Sequence, residues 1–198
     1  MLPGMTTHGT THPAHASDGS LLRALARRWP IAVGLLAAAA SVLTGPNSAA
    51  DPALIVVIAA SCYVAAAAFA RPWTAWAWVG VATVLVVAAR LLDVSPVLVN
   101  VVTGTALVVL GVVRGVARHA LRRQTAGFVG YGLVALVALA LPAGPGLVLA
   151  ALTLMAHGVW DLWHLRRHRD QVPPALAEAC IALDVPAGLA MLVLAVLV

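Results

Sequence analysis

The sequence predicts an all-α fold, a polytopic membrane helix bundle of seven transmembrane helices. Three observations carry this. The 198 residues are 62% hydrophobic and only 10% charged, against roughly 25% charged in a soluble domain. Several apolar runs approach the ~20 residues that an α-helix needs to cross the hydrocarbon core. All 12 basic residues are Arg, and 11 of them gather in alternate breaks between the runs. That clustering and the net charge of +5 fit short loops that orient the chain against lipid headgroups; membrane lipids are the expected partners, and no nucleic-acid partner is expected.

Residues 1–20, MLPGMTTHGTTHPAHASDGS, read as a disordered cytoplasmic tail. His8, His12 and His15 would align on a helix, but Pro13 and the glycines oppose one, so metal capture here is secondary to a flexible tail. Residues 21–29 form a basic amphipathic lead-in. The first apolar run, from Pro30, reads as an uncleaved signal anchor.

A single transmembrane domain, 21–198, follows, with spans at 30–44, 52–70, 73–92, 96–114, 126–141, 145–165 and 175–198. Asp51 before Pro52, and Ser95 before Pro96, read as N-cap and first helical residue. GPNSAADP and PAGPG read as tight turns. Spans 30–44 and 126–141 are short, which leaves a six-span variant open. With the N-terminus inside, the inner segments hold 11 arginines and the outer ones only Arg90. The six tryptophans lie near the same inner boundary, where the headgroup interface favours them. Both signals give N-in, C-out. Runs one to three and five to seven weakly echo each other, each with a Gly-Pro outer turn after its first run, as in a 3+1+3 repeat plan.

The stretch AHGVWDLWHLRRHRD closes span six. His157, Asp161 and His164 stand at i, i+4 and i+7 and share one helical face. Counting from Arg166, His157 lies roughly 13 Å deep and Asp161 roughly 7 Å; Asp184 lies roughly 15 Å in from Pro174 on span seven. A short connection packs the two helices side by side, placing His157 opposite Asp184 and Asp161 opposite Cys180. Pro186 frees the carbonyl of Ala182 beside Asp184. An aspartate at mid-membrane costs about 2.5–3.5 kcal/mol, which makes function the default reading of such residues. The structural alternative puts Asp161 and His164 among headgroups, with His157 and Asp184 as one inter-helix clasp.

Other polar residues carry less. Glu178 reads as a first-turn acid that favours the helix dipole, and Arg90 with Asp93 as an interfacial pair. Cys62 and Cys180 lack CxxC spacing and read as packing. Asn100 in span four and Ser61, Cys62 and Tyr63 in span two could join a cavity, but nothing in the sequence places them there. His119 and His168 read as lipid-facing or solvated.

The absence of Lys excludes a retinal Schiff base and a P-loop. Ser61 is followed by Ala65 where the alkaline ceramidases and related seven-span hydrolases need His, and the last span has no His. No family resemblance is drawn. The Arg-only, Ala/Val-rich composition is that expected in a high-GC bacterium, and the expected location is its inner membrane.

His157, Asp161, His164 and Asp184 are therefore the candidate catalytic residues of a site facing the cytoplasm. A divalent metal on His157, Asp161 and Asp184 is the candidate cofactor. Such a site fits an enzyme that acts on a lipid or isoprenoid-like substrate by metal or acid/base chemistry. It also fits a proton- or ion-coupled transporter, and a non-catalytic scaffold is the third reading. Reporter fusions after residue 20 and after Val198 are expected to place the N-terminus in the cytoplasm and the C-terminus outside. Both ends on one side would mean that 30–44 or 126–141 does not cross.

Overall fold

The structure, a computed structural model, describes residues 26–43 and 49–197. The expected tail and most of the basic lead-in lie outside the described residues. Those residues hold seven α-helices and no strand: α1 Trp29–Leu43, α2 Ala50–Phe69, α3 Thr74–Leu91, α4 Pro96–Val113, α5 Arg118–Ala140, α6 Ala143–Arg167 and α7 Pro174–Leu197. The protein is a multi-pass membrane bundle. Six helices, α2 to α7, are long and apolar enough to cross a bilayer. α1 has 15 residues, about 22 Å of helix. Leu36, Val84, Val102, Leu133 and Val159 all project outward, an arrangement that lipid tolerates and water does not.

α5 begins at Arg118, eight residues before the expected start at 126, and runs for 23 residues. Arg, Gln and Ala are good helix formers, so the basic segment continues the helix beyond the apolar run instead of ending it. At this length the helix is long and apolar enough to cross a bilayer.

α2 is the hub. It packs against α3, α4, α5 and α6, and 78% of its apolar window is buried. Its sequence explains this: alanines at 53, 59, 60, 65, 66, 67 and 68 lie on every face, and small residues let neighbouring backbones approach in a membrane. α6 and α7 form the most extensive pair, and α1 lies along α7. Glycines set these distances. A Cβ on Gly158 would lie 2.8 Å from Val185 Cγ2, one on Gly188 2.5 Å from Met155 Cγ, and one on Gly34 would overlap the Ala179 carbonyl oxygen.

Ser95 caps α4 as expected, its hydroxyl accepting from the Leu98 N–H at 3.4 Å, with Pro96 in the first turn. The other expected cap is corrected: α2 starts at Ala50, so Asp51 is already inside its first turn. There the acid favours the helix dipole and pairs with Arg90 at 3.7 Å, replacing the expected Arg90–Asp93 pair. α7 begins at Pro174, which carries Glu178 past the first turn. PAGPG mostly belongs to α6; the bend is only Leu141 and Pro142. The 3+1+3 echo has no counterpart in packing. α1 lies on α7, whereas α5, its equivalent in such a plan, lies on α2 and α6.

Gly158→Val is expected to push α6 from α7 and lower thermal stability in detergent by about 1–3 kcal/mol. Gly80→Ala, with no atom within 4 Å of the added carbon, is the control and should melt like the parent in a fluorescence-detected unfolding assay.

Candidate functional site

The hairpin of α6 and α7 builds the site. The 3.6-residue period turns His157, Asp161 and His164 to the face of α6 that meets the bundle. Their exposures are 0%, 0% and 1%, and that of Asp184 on α7 is 0%. The alternative that set Asp161 and His164 among headgroups is thereby overturned: α2, α5 and α7 cover that face.

His157 and Asp184 meet as their matched depths predict. His157 Nδ1 lies 2.8 Å from Asp184 Oδ2 and 3.2 Å from Asp161 Oδ2. One imidazole nitrogen thus stands between two carboxylates. The Tyr63 hydroxyl, arriving from α2, donates to Asp161 Oδ1 at 2.5 Å. His157 Nε2 and Asp184 Oδ1 are buried without a hydrogen-bond partner. Gly158 helps α6 and α7 come this close, because a Cβ added there would lie 2.8 Å from Val185 Cγ2, on the residue next to Asp184.

Aromatic rings wall the cluster. Tyr131 of α5 stands edge-on to His157 at 5.1 Å between centroids, and Tyr63 is tilted to it at 5.8 Å. Tyr63 is also edge-on to His164 at 5.1 Å.

His164 belongs to a second, adjoining group. Its Nδ1 faces the Trp160 carbonyl at 3.0 Å, which can only accept, so Nδ1–H donates. Its Nε2 then accepts from the Gln124 amide at 2.9 Å. The same amide nitrogen donates to Gln171 Oε1 at 3.3 Å. Gln171 lines a cavity of about 200 Å³ at the Arg-rich end, together with Arg71, His119 and Asp170. Polar groups therefore run from that end through Gln171, Gln124 and His164, cross the Tyr63 ring, and continue through Asp161 and His157 to Asp184.

One ligand atom from each of His157, Asp161 and Asp184 lies within 4.8 Å of the others, the arrangement a shared metal ion needs. His164 is not in that group, in keeping with its distance along the helix.

The remaining sequence candidates separate from the cluster. Cys62 and Cys180 are buried free thiols packed with Tyr63, Ala59 and Leu176. Ser61 accepts from Trp78 Nε1 at 2.9 Å, and Asn100 donates to the Pro96 carbonyl in its own helix. His168 is not free: Arg123 Nη1 lies 3.1 Å from its Nδ1.

Sequence reasoning left Tyr63 unplaced and missed Gln124, Tyr131 and Gln171. Tyr63 sits in a helix buried all round, where periodicity marks no face. Gln124 sits among arginines and reads as loop until α5 is seen to start at Arg118.

The chain matches no protein-family model, no curated protein and no solved structure, so its functional reading rests on the residues of the site.

Tyr63→Phe removes the donor from a buried carboxylate, an interaction worth about 1.5–3 kcal/mol. The loss is expected in full when Asp161 is present and reduced when Asp161→Asn is already in place. A double-mutant cycle of unfolding free energies in detergent measures this coupling; additivity would show that the hydroxyl and carboxylate do not interact.

Proposed function

We propose that this is a bacterial inner-membrane transporter whose coupling or transported cation binds at His157, Asp161 and Asp184. The cation reaches them from the cytoplasmic, Arg-rich side through Gln171, Gln124 and His164. The observation that carries this reading is the line of buried polar groups from the Gln171 cavity to Asp184. Buried polar groups cost free energy unless paired, and intramembrane His and Asp chains are the usual substance of ion and proton pathways. Two carboxylates beside one imidazole leave the cluster in need of positive charge, which a cation supplies.

A second reading keeps the lipid-directed enzyme. A largely apolar cleft of about 530 Å³ lies between α5 and α6, lined by Gly127, Gly130, Tyr131, Thr153, Ala156 and Trp160. It adjoins the site through Tyr131, whose ring lies against His157, and through Trp160, whose ring lies against His164. An acyl or isoprenoid chain would fit it, yet none of its lining residues is His157, Asp161 or Asp184. The Gln171 cavity is not lined by them either, but polar groups join it to the cluster through Gln124 and His164.

Infrared difference spectra of the reconstituted protein, taken on a step from mildly alkaline to mildly acidic pH, test the transporter reading. A protonated-carboxyl band is expected to grow on acidification and to be lost in Asp184→Asn while the protein still inserts. Gln124→Leu should keep the band but slow its appearance. Equal spectra for the parent and the Asp161→Asn, Asp184→Asn double variant would leave the cluster as a helix clasp. Conversion of added membrane lipid by the parent but not by Asp184→Asn would establish the enzyme instead.

A further inference from the structure

We infer that the cation is a divalent first-row transition metal, bound by His157 Nδ1 and one oxygen each of Asp161 and Asp184. This deepens the transporter reading by naming the class of its cation, and rests on that reading only for the route of entry. The donors are three buried side chains whose ligand atoms lie within 4.8 Å of one another. A second observation points to a ligand independently of that clustering. Asp184 Oδ1 and His157 Nε2, on fully buried residues, have no hydrogen-bond partner, and Asp161 Oδ2 has only the His157 ring nitrogen at 3.2 Å. Native structures rarely leave buried polar atoms unpaired without a missing ion or water.

The chemistry of the donors selects the ion. Imidazole suits Zn, Fe, Cu and Ni, whereas an all-oxygen shell suits Ca and Mg; a mixed nitrogen and carboxylate set fits Mn, Fe, Co or Zn. The two cysteines are not among the grouped donors, which removes the thiolates that soft ions prefer. Charge agrees as well. Two carboxylates and one divalent ion sum to zero, the state that a low-dielectric interior favours.

The distances ask for a small adjustment. Bonds of about 2.0–2.2 Å to nitrogen and carboxylate oxygen hold donors on a tetrahedral ion near 3.4 Å apart. The present 2.8 Å and 3.2 Å separations are those of a hydrogen that the ion replaces. Tyr63 already serves the loaded form. By donating to Oδ1 of Asp161 it leaves Oδ2 for the ion, as outer-shell hydrogen bonds to ligating carboxylates do. His157 Nε2 lacks the acceptor that usually orients a ligating imidazole, and the Tyr131 and Tyr63 rings confine it instead.

Cobalt(II) titration of the purified full chain in detergent, followed by visible absorption and displaced by zinc(II), tests the inference. One cobalt per chain is expected. Tyr63→Phe should weaken it by about 10–100-fold, and Asp184→Asn should abolish the spectrum. Replacing His8, His12 and His15 by Ala should leave it unchanged. Each variant must retain the parent's elution volume; Asp184→Glu, which restores a carboxylate, should recover part of the binding if Asn has merely disturbed the fold. Absence of a cobalt spectrum in the parent would overturn the inference. So would a spectrum that survives in Asp184→Asn and is lost with the three tail histidines. If the infrared carboxyl band persists while cobalt fails to bind, the metal inference alone falls and the cluster remains a proton site. If both fail, the transporter reading falls with it.

Discussion

The rest of the structure depends on the meeting of His157 with two aspartates inside an apolar bundle. A carboxylate deep in a bilayer is unfavourable by itself, and two of them more so. They persist because one imidazole nitrogen lies within 2.8 Å and 3.2 Å of both and a tyrosine hydroxyl holds the shallower one. That requirement sets how close α6 and α7 must come, because aspartate is a short side chain. It also explains why Gly158 and Gly188 stand on those two helices where any side chain would hold them apart.

The hub position of α2 follows from the same need. Tyr63 can reach Asp161 only from a helix that passes through the middle of the bundle. A helix buried on all sides must be thin, and the alanines of α2 make it so. Tyr63 and the rings of His157 and His164 stand beside Leu154 and Met191 among the largest fully buried side chains of the core. Polar contacts here do what interlocking leucines do in a soluble core, and they specify one arrangement where apolar packing in lipid would leave several.

The two ends of the bundle differ in kind. Towards the arginines, Gln124 and Gln171 extend the polar groups to a cavity with Arg71, His119 and Asp170. Towards the other end, Ser95 closes a helix cap and Asn100 bonds within its own helix. A site with one polar approach is closed on its far side by packing, so exchange across the whole membrane would require α6 and α7 to shift against their neighbours. The mid-helix Pro186, two residues beyond Asp184 in α7, removes a backbone hydrogen bond where such a shift would centre.

The sequence by itself determined the solvent, the helices and the principal residues. Hydrophobic runs of spanning length need no tertiary information, because each helix satisfies its own backbone in lipid. The helical period put His157, Asp161 and His164 on one face, and a short hairpin matched His157 with Asp184. It could not choose among partners on other helices. Tyr63 meets Asp161 across 98 residues and Gln124 meets His164 across 40; both contacts depend on how helices rotate and dock. Only the tertiary structure decided that Asp161 and His164 are buried rather than headgroup-facing, and that Arg90 pairs with Asp51. It also decided that the two halves of the chain do not pack alike. The physical reason is common to all three: periodicity fixes which residues share a face, whereas what covers that face is set by contacts between distant helices.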